Sequence, residues 1–283
     1  RALGKGSPVV YIHGARTPLD EGVIGLGDAL TPRRRLLAFD RAGHGRSDRD
    51  GATGSAWRQA ALIHGAVKAL GVERPVVVGH SFGGAVAMAY ALQFPDELTG
   101  VVALAPIAFP EPRFEQVLFG MRATPGMGDW LSLMAGPSDG VMLPILWNGM
   151  FLPQAMTPAV KAGFPFGIAG GRQQIKADGE DAALMVMSLT RNALLYGQCR
   201  VPVHVIQGDS DMVVNPLTHG RPLAAMTPRG TFTSLSGLGH MAHHFAPDAV
   251  GAAIDALIEN DGSVKAPPSK VATASRRSAL IAA

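Results

Sequence analysis

Short apolar runs alternate with helical patterns over the first hundred residues of the chain. Residues 8–12, 36–39, 76–79 and 101–104 are short apolar runs, three of them with β-branched side chains, and predict buried parallel strands. Ser55 is a suitable N-cap for a helix that continues to Leu70 and stops at Gly71, and a helix of small residues is predicted from Phe82 to about Gln93. This alternation predicts an α/β fold, with a mostly parallel sheet and helices on both faces.

The alternation breaks over residues 107–198, which contain many prolines and glycines and no clear strand. Eight of the twelve methionines and six of the eleven phenylalanines lie in this stretch. Strands are predicted again at residues 201–206 and 231–235, followed by an amphipathic helix at 247–258. We therefore expect residues 1–106 and 199–260 to form the core and 107–198 to form a mostly helical lid. Residues 261–283 are rich in Ala, Ser, Pro and Lys and predict a disordered tail.

Composition excludes several classes of protein. Apolar residues make up 47% of the chain and charged residues 17%, and the net charge of +3 comes with no basic face interleaved with aromatic residues. We therefore expect a globular protein that binds no nucleic acid. The single cysteine, Cys199, excludes an intramolecular disulfide and thiolate metal sites, and we expect no metal and no cofactor.

The hydropathy of the chain and its first residue are relevant to the cellular location of the protein. No apolar run approaches the roughly 20 residues that a membrane-spanning helix requires, so we expect no membrane span. A cytoplasmic location is the default. Secretion stays open because the sequence begins with Arg1 and not with Met.

The strongest chemical signal is a G-x-S-x-G pattern, Gly79-His80-Ser81-Phe82-Gly83, at a predicted junction between strand and helix. A serine on so tight a turn needs small residues two positions before and after it, because neighbouring backbone approaches closely. The following helix directs its N-terminal amides toward a reacting carbonyl group. Ser81 is therefore the candidate nucleophile, and the alternative is a glycine-rich turn with an incidental serine.

Two further loops follow predicted strands and complete a candidate catalytic site. His13-Gly14-Ala15 ends the first strand, and the backbone amides of Ala15 and Phe82 are the candidate oxyanion donors, with His13 itself structural. Gly239-His240 follows strand 231–235, and His240 is the candidate general base. Each candidate lies just beyond the carboxyl end of a strand, the edge where ligands bind in open α/β sheets.

Two aspartates compete to orient His240, in the segment Gly208-Asp209-Ser210-Asp211 after strand 201–206. Asp209 directly follows the glycine at which the strand bends, so we expect it to bond nearby backbone amides of the turn. Asp211 lies further along, where a carboxylate can face His240, and is the preferred acid. Of the remaining histidines, His80 is expected to pack beside the nucleophile, His44 to belong to a turn and His204 to be a satisfied core residue.

Together with Asp40-Arg41-Ala42-Gly43-His44-Gly45-Arg46-Ser47, these motifs resemble the D-R-x-G-H-G-x-S branch of the α/β-hydrolase superfamily over roughly residues 8–258. The resemblance implies an eight-stranded, mostly parallel sheet with a lid after the sixth strand, where residues 107–198 fall. It also implies two further strands before the His-Gly loop, and since only twelve residues precede His13, a first strand is expected to be missing. The family pattern G-x-x-D also selects Asp211.

The resemblance also limits the classes of reaction that we expect the protein to catalyse. Superfamily members that open epoxides or remove halides use aspartate as nucleophile, so Ser81 favours hydrolysis of an ester, thioester, lactone or carbon–carbon bond. We expect a small or medium apolar carboxylic ester, cleaved through an acyl-enzyme, with the methionines and phenylalanines of residues 107–198 either lining the pocket or only packing the lid. Acyl transfer, as in related acyltransferases and cofactor-free haloperoxidases, and ligand binding on the same scaffold stay open, as does the oligomeric state.

Overall fold

A seven-stranded sheet forms the centre of the protein, as seen in a computed structural model that describes residues 1–49, 54–113, 116–117 and 119–261. In chain order the strands are β1 (Ala2–Leu3), β2 (Ser7–Ile12), β3 (Arg34–Phe39), β4 (Val76–His80), β5 (Gly100–Leu104), β6 (Val203–Gly208) and β7 (Gly230–Leu235). Their order in the sheet is β1-β3-β2-β4-β5-β6-β7. Only the pairing of β1 with β3 is antiparallel among these strands, so the predicted mostly parallel sheet is confirmed.

Helices cover both faces of the sheet. They are α1 (Asp20–Leu30), α2 (Ala56–Ala69), α3 (Phe82–Gln93), α8 (Gly220–Met226) and α9 (Pro247–Glu259). On β2, Val10 and Ile12 pack toward the face covered by α2 and α3, whereas Val9 and Tyr11 pack toward the face covered by α1 and α9. The central strands β4 and β5 are mainly apolar because they are buried on both sides, whereas the edge strand β7 is more polar and only partly buried.

The insertion between β5 and β6 is mainly helical in its described residues, as the pattern predicted. It contains α4 (Met127–Phe151), α5 (Pro158–Gly163), α6 (Phe166–Ala169) and α7 (Arg172–Leu195). These helices share a small apolar core that includes Phe119, Trp147 and Phe164. The insertion follows the fifth of the seven described strands, so one strand fewer precedes it than the eight-stranded pattern implies.

The observed ends of helices and strands agree closely with the predicted ends where the sequence contains a capping residue or a terminating glycine. The helix predicted from Phe82 to Gln93 is observed with those ends, and the side chain of Ser55 accepts a hydrogen bond from the Arg58 amide at the start of α2. Gly71 follows α2 with a φ of 64°, the left-handed backbone that ends helices. β6 begins at Val203, two residues later than predicted.

The sequence pattern did not predict α1, α8 or the short β1. In α1 the cause is three glycines, which disfavour an isolated helix. Packing explains two of them. A Cβ atom at Gly22 would lie 2.0 Å from the Tyr11 ring, and one at Gly25 would lie 2.9 Å from the His244 ring. Close tertiary contact, not intrinsic propensity, therefore determines this helix.

The end of the described chain is tied to the core. The carboxylate of Asp261 accepts hydrogen bonds from Arg74 at 3.0 and 3.1 Å and from the Thr99 hydroxyl at 3.1 Å. The tail predicted for residues 261–283 is thus wrong for Asp261, and residues 262–283 lie outside the described part of the chain. Within that described part, no helix combines the length and apolarity that crossing a membrane requires.

Candidate active site

The turn between β4 and α3 presents Ser81. Its backbone has a φ of 53°, and its amide donates to the Leu104 carbonyl oxygen at 2.9 Å. A Cβ atom at Gly79 would lie 2.2 Å from the Gly83 carbonyl oxygen, and one at Gly83 would lie 2.2 Å from that of Ile12. These close approaches are the physical reason for glycine on both sides of the serine, and they show that the turn lies directly against the end of β2.

His240 follows β7 and bonds to Asp211, which follows β6. Asp211 Oδ2 lies 2.9 Å from His240 Nδ1, and both side chains are almost fully buried. Burial raises the pKa of Asp211, but the charge and hydrogen bond of His240 outweigh it, so the pKa lies below its ordinary value. A carboxylate at this position makes Nδ1 the donor, which leaves Nε2 as the acceptor. No hydrogen-bond partner reaches the buried Nε2 atom from the described residues.

Asp211 has the expected partner, His240, but it also has the turn-binding role that was expected of Asp209. Asp211, not Asp209, binds its own turn, since Asp211 Oδ1 accepts the amides of Val213 and Val214, each at 2.9 Å. Asp209 is exposed and instead accepts the Gly237 amide at 2.7 Å, which connects it to the loop after β7. The expectation that Asp209 caps the turn was therefore wrong, because the turn folds inward over the second carboxylate.

The loop after β2 is held by buried hydrogen bonds around His13. His13 Nδ1 donates to the Gly14 carbonyl oxygen at 2.7 Å, and Nε2 accepts the Arg41 amide at 2.9 Å. Burial and the nearby Arg41 charge lower the pKa of His13 well below its ordinary value, so the ring is neutral. His13 therefore supports the backbone of the loop. At Gly14 a Cβ atom would lie 3.0 Å from the Ser81 Cβ atom, which places this loop directly beside the serine.

Arg41 connects that loop to the insertion. Its guanidinium donates to the carbonyl oxygens of His13 at 3.1 Å and Gly14 at 3.0 Å, and to Asp181 of α7 at 2.6 Å. His44 lies in the same network, 3.1 Å from Asp181 and 3.6 Å from Asp178. Burial and Arg41 lower the pKa of His44, but the two aspartates outweigh them and raise it. These four side chains form what we call the Arg41 network.

A cavity of about 450 Å³ joins these parts of the site. Ser81, Phe82, Ala15 and His240 lie in its wall, so the structure brings the predicted nucleophile, base and both candidate amide residues to one space. Of the insertion's methionines and phenylalanines, Phe119, Met150 and Met185 line it. Others, such as Phe151 and Phe164, pack inside the insertion, and Met134 and Met187 are exposed. The enrichment in these residues therefore reflects packing and surface as well as the cavity.

Comparison with known proteins gives the family. A model of the alpha/beta hydrolase fold matches residues 7–138. A solved esterase from Thermogutta terrifontis superposes with a TM-score of 0.68 at 20% identity, covering 92% of each chain. The chain belongs to the α/β-hydrolase superfamily.

Relatives of this α/β-hydrolase extend the comparison. An uncharacterized protein of Mycobacterium tuberculosis is 26% identical over 87% of this chain and 74% of its own length. A 2-hydroxymuconate semialdehyde hydrolase of Pseudomonas putida is 34% identical over 38% of this chain and 40% of its own length. The chain is thus similar to a protein named as a hydrolase and, in fold, to an esterase.

Two buried groups in this α/β-hydrolase have the composition of metal sites. They are Glu21 with His80 and His243, and His44 with Asp178 and Asp181, and the ligand atoms of each group lie within 4.8 Å of one another. Both groups already bond within the protein. Imidazoles donate to Glu21, and Asp181 accepts from Arg41. We therefore interpret them as internal polar networks and assign no ion to either.

Several residues that shape this site escaped the sequence argument. The D-R-x-G-H-G motif contains Arg41 and His44 and indicates the family resemblance, but it does not indicate their buried partners, and His44 was expected only to belong to a turn. The partners of both, Asp178 and Asp181, lie in a helix with no motif. His243 and His244, one turn after His240, were expected to start a helix or to lie on a loop surface. They lie in a short 3-10 helix, and His243 is buried. His204, expected to be a satisfied core residue, is partly buried with Nε2 2.8 Å from the Thr233 hydroxyl oxygen.

Proposed function

We propose that this α/β-hydrolase is a serine hydrolase that cleaves a small or medium carboxylic ester through an acyl-enzyme. The observation that carries the proposal is the arrangement around His240. Its Nδ1 is held by Asp211 at 2.9 Å, and the same ring shares with Ser81 the wall of one cavity. An imidazole fixed in that tautomer has its second nitrogen available to take a proton from a serine hydroxyl.

The proposed reaction has two half-steps. Ser81 Oγ attacks the ester carbonyl carbon while His240 Nε2 takes its proton, and the tetrahedral intermediate then expels the alcohol, which receives that proton. Water next attacks the acyl-enzyme with His240 again as base, and the acid leaves with Ser81 regenerated. Asp211 stabilises the imidazolium form of His240 in both half-steps and stays ionised.

The backbone amides of Ala15 and Phe82 are the proposed donors to the oxyanion. Phe82 is the first residue of α3, so its amide belongs to the positive end of that helix. Ala15 directly follows Gly14, whose carbonyl oxygen is held by Arg41. Fixing the carbonyl of one residue also fixes the peptide plane that carries the amide of the next. The Arg41 network thereby supports a preorganised donor.

The insertion is the proposed lid and determines which acyl groups enter. Its residues Phe119, Leu146, Met150 and Met185 give the cavity an apolar side above Ser81. The charged side chains in the wall have partners of their own, such as Arg16 with Asp178 at 3.8 Å and Arg113 with the Val213 carbonyl oxygen at 3.0 Å. A cavity of this volume and lining fits a neutral ester of small or medium size.

A single set of assays tests this function. Aryl and alkyl esters of graded acyl length are offered to the wild type, to Ser81→Ala and to the matched control Ser210→Ala, whose serine bonds to the exposed Asp209. We expect turnover and fluorophosphonate labelling in the wild type and the control, and neither in Ser81→Ala. Full labelling of Ser81→Ala would place the nucleophile elsewhere.

Added acceptors separate the alternatives. If methanol or hydrogen peroxide takes most of the acyl group at the expense of hydrolysis, the protein is an acyltransferase or a haloperoxidase-like enzyme. Binding of an ester without turnover in the wild type would instead identify a ligand-binding protein on this scaffold.

A further inference from the structure

Glu21 lies in the interior and is close to side chains from three other segments, two of which bond to it. Tyr11 of β2 donates its hydroxyl to Glu21 Oε2, and His243 donates Nε2 to Oε1. His244 Nε2 donates to the same Oε1 atom at 2.8 Å. His80, at the end of β4, has Nδ1 3.9 Å from Oε2. We call Tyr11, Glu21, His80, His243 and His244 the Glu21 cluster.

The cluster is built to hold an ionised carboxylate. Glu21 and Tyr11 are fully buried, and the glycines of α1 let the Tyr11 ring and the two histidines approach Glu21 closely. Burial raises the pKa of Glu21, but His243 and His244 outweigh it and hold the pKa well below its ordinary value. Burial and the adjacent carboxylate raise the pKa of Tyr11 well above its ordinary value, so its hydroxyl stays a donor. A buried carboxylate persists only with such donors.

Each histidine of the cluster is close in sequence or in space to a proposed catalytic residue. His243 follows His240 by three positions in the same short loop, and His80 directly precedes Ser81. The His80 ring lies between the other two, with ring centroids 4.8 Å from His240 and 4.6 Å from His243. A shift of His243 would therefore move the ring against which His80 packs and, through His80, the ring of His240.

We propose that Glu21 is a positioning residue, whose carboxylate holds His243 and His244 and thereby fixes His80 and the ring of His240 for proton transfer. This inference rests on the proposed serine hydrolase function. Glu21 touches no substrate and acts only through these rings. Catalysis is sensitive to such support, because a displacement of about 1 Å in a reacting group lowers a rate on the order of 100-fold.

The geometry favours a carboxylate centre over a metal ion. In a tetrahedral zinc site, bonds of about 2.1 Å keep ligand atoms about 3.4 Å apart. His244 Nε2 lies 2.8 Å from Glu21 Oε1, a hydrogen-bond distance, and His243 Nε2 is bonded to the same oxygen. The imidazole nitrogens thus bond to the carboxylate itself and do not surround a central position where an ion could bind.

The test compares the wild type with Glu21→Gln, which keeps the shape and one acceptor oxygen but removes the charge. The matched control is Asp139→Asn, which alters another buried carboxylate, bonded to Arg122 at 2.7 and 3.0 Å within the insertion and outside the wall of the Ser81 cavity. Melting temperature, kcat, KM and the proton NMR signal of His240 Nδ1–H are measured for each protein well below its melting temperature. His244→Asn removes a single donor and serves if Glu21→Gln does not fold.

We expect Glu21→Gln to lower kcat roughly tenfold to hundredfold with KM changed less than about threefold, and to shift the His240 signal. His244→Asn should lower kcat and shift the His240 signal in the same direction, but by less. Asp139→Asn should leave kcat and the His240 signal unchanged. The Glu21 or His244 variant could instead have only a lower melting temperature, with the kcat and the His240 signal of the wild type. That result would show that the cluster is purely structural and would overturn this proposal, while Ser81-dependent turnover would still support the proposed function. Stoichiometric metal in the purified wild type would also overturn it, and a wild type without Ser81-dependent turnover would overturn both proposals.

Discussion

The guanidinium of Arg41 lies 3.0 Å from the carbonyl oxygen of Gly14, the residue just before the proposed oxyanion donor Ala15. The same side chain reaches His13, Gln59 and Asp181, so one buried cation serves the loop, the core and the insertion together. A planar fork with five N–H groups can satisfy these acceptors at once, and a lysine ammonium cannot. The arrangement gives the first prediction.

Arg41→Lys should lower the free energy of unfolding by about 1–3 kcal/mol or more, because the three N–H groups of an ammonium leave at least one of the four buried acceptors of Arg41 without a donor. Urea unfolding followed by circular dichroism measures the change. Arg200→Lys is the matched control, since Arg200 pairs with Asp96 on the surface and such pairs contribute less than about 1 kcal/mol. Equal stability of the two variants would contradict this account of the Arg41 network.

Asp211→Asn should reduce kcat on the order of 10⁴-fold, because an amide at this place no longer selects the tautomer with Nδ1–H. Steady-state hydrolysis of the best ester substrate gives the number. Asp209→Asn, which alters the exposed neighbour bonded to Gly237, should retain turnover close to that of the wild type. A reversal of these two results would assign the orienting carboxylate to Asp209.

Gly83→Ala should prevent folding or strongly destabilise the protein, because the added Cβ atom would lie 2.2 Å from the Ile12 carbonyl oxygen. Neither the strand end nor the helix start can move without displacing Ser81. Gly65→Ala is the control within α2, where a Cβ atom meets nothing within 4 Å, and it should stabilise by about 0.4–1 kcal/mol. Thermal unfolding of both variants tests the contrast, which fails if Gly83→Ala melts like the wild type.

Acid should weaken the junction of insertion and core through Asp178. Burial raises the pKa of Asp178, but Arg16 and His44 outweigh it, so the pKa of the folded form lies below its ordinary value. The unfolded chain then binds more protons, and stability rises with pH. The contribution of Asp178 is complete above the unfolded pKa of about 3.9 and is lost as the pH falls through the folded pKa.

Unfolding free energies of the wild type and Asp178→Asn between pH 7 and pH 2.5 test this sign. The difference between the two proteins should be largest near neutral pH and should shrink below about pH 4. A difference that grows as the pH falls would show that the carboxylate is not the stabilised form in the folded protein.

The sequence predicted those parts of the candidate site that directly follow strands, because each of these residues is next to a recognisable apolar run in the chain. Ser81, Asp211 and His240 each come just after an apolar run, and parallel strands bring their carboxyl ends to one edge. Even there, the turn after β6 was misjudged. The G-x-x-D pattern selected Asp211 as the partner of His240. That the other oxygen of Asp211 also accepts the amides of Val213 and Val214 depends on the path of the turn, which no residue pattern indicates.

The supporting contacts were beyond sequence reasoning because their partners lie far apart in the chain. Arg41 and Asp181 are 140 positions apart, and Glu21 and His243 are 222 positions apart. Each pair depends on how a helix without a motif docks against the sheet. The helix α1 itself went unnoticed, since its glycines, which allow the docking, are also the residues that weaken a helical pattern.

The insertion leaves the sheet after β5 and returns to β6, and these two strands pair directly, with Val101 opposite Val203. Such a connection lets evolution lengthen, shorten or exchange the intervening helices without altering the order of the strands. Asp181 limits that freedom, because it reaches back to the cation that also holds the loop beside Ser81. A chimera in which this segment is replaced must therefore place a carboxylate at the position of Asp181. Without that carboxylate, we expect the chimera to change its selectivity and also to lose activity.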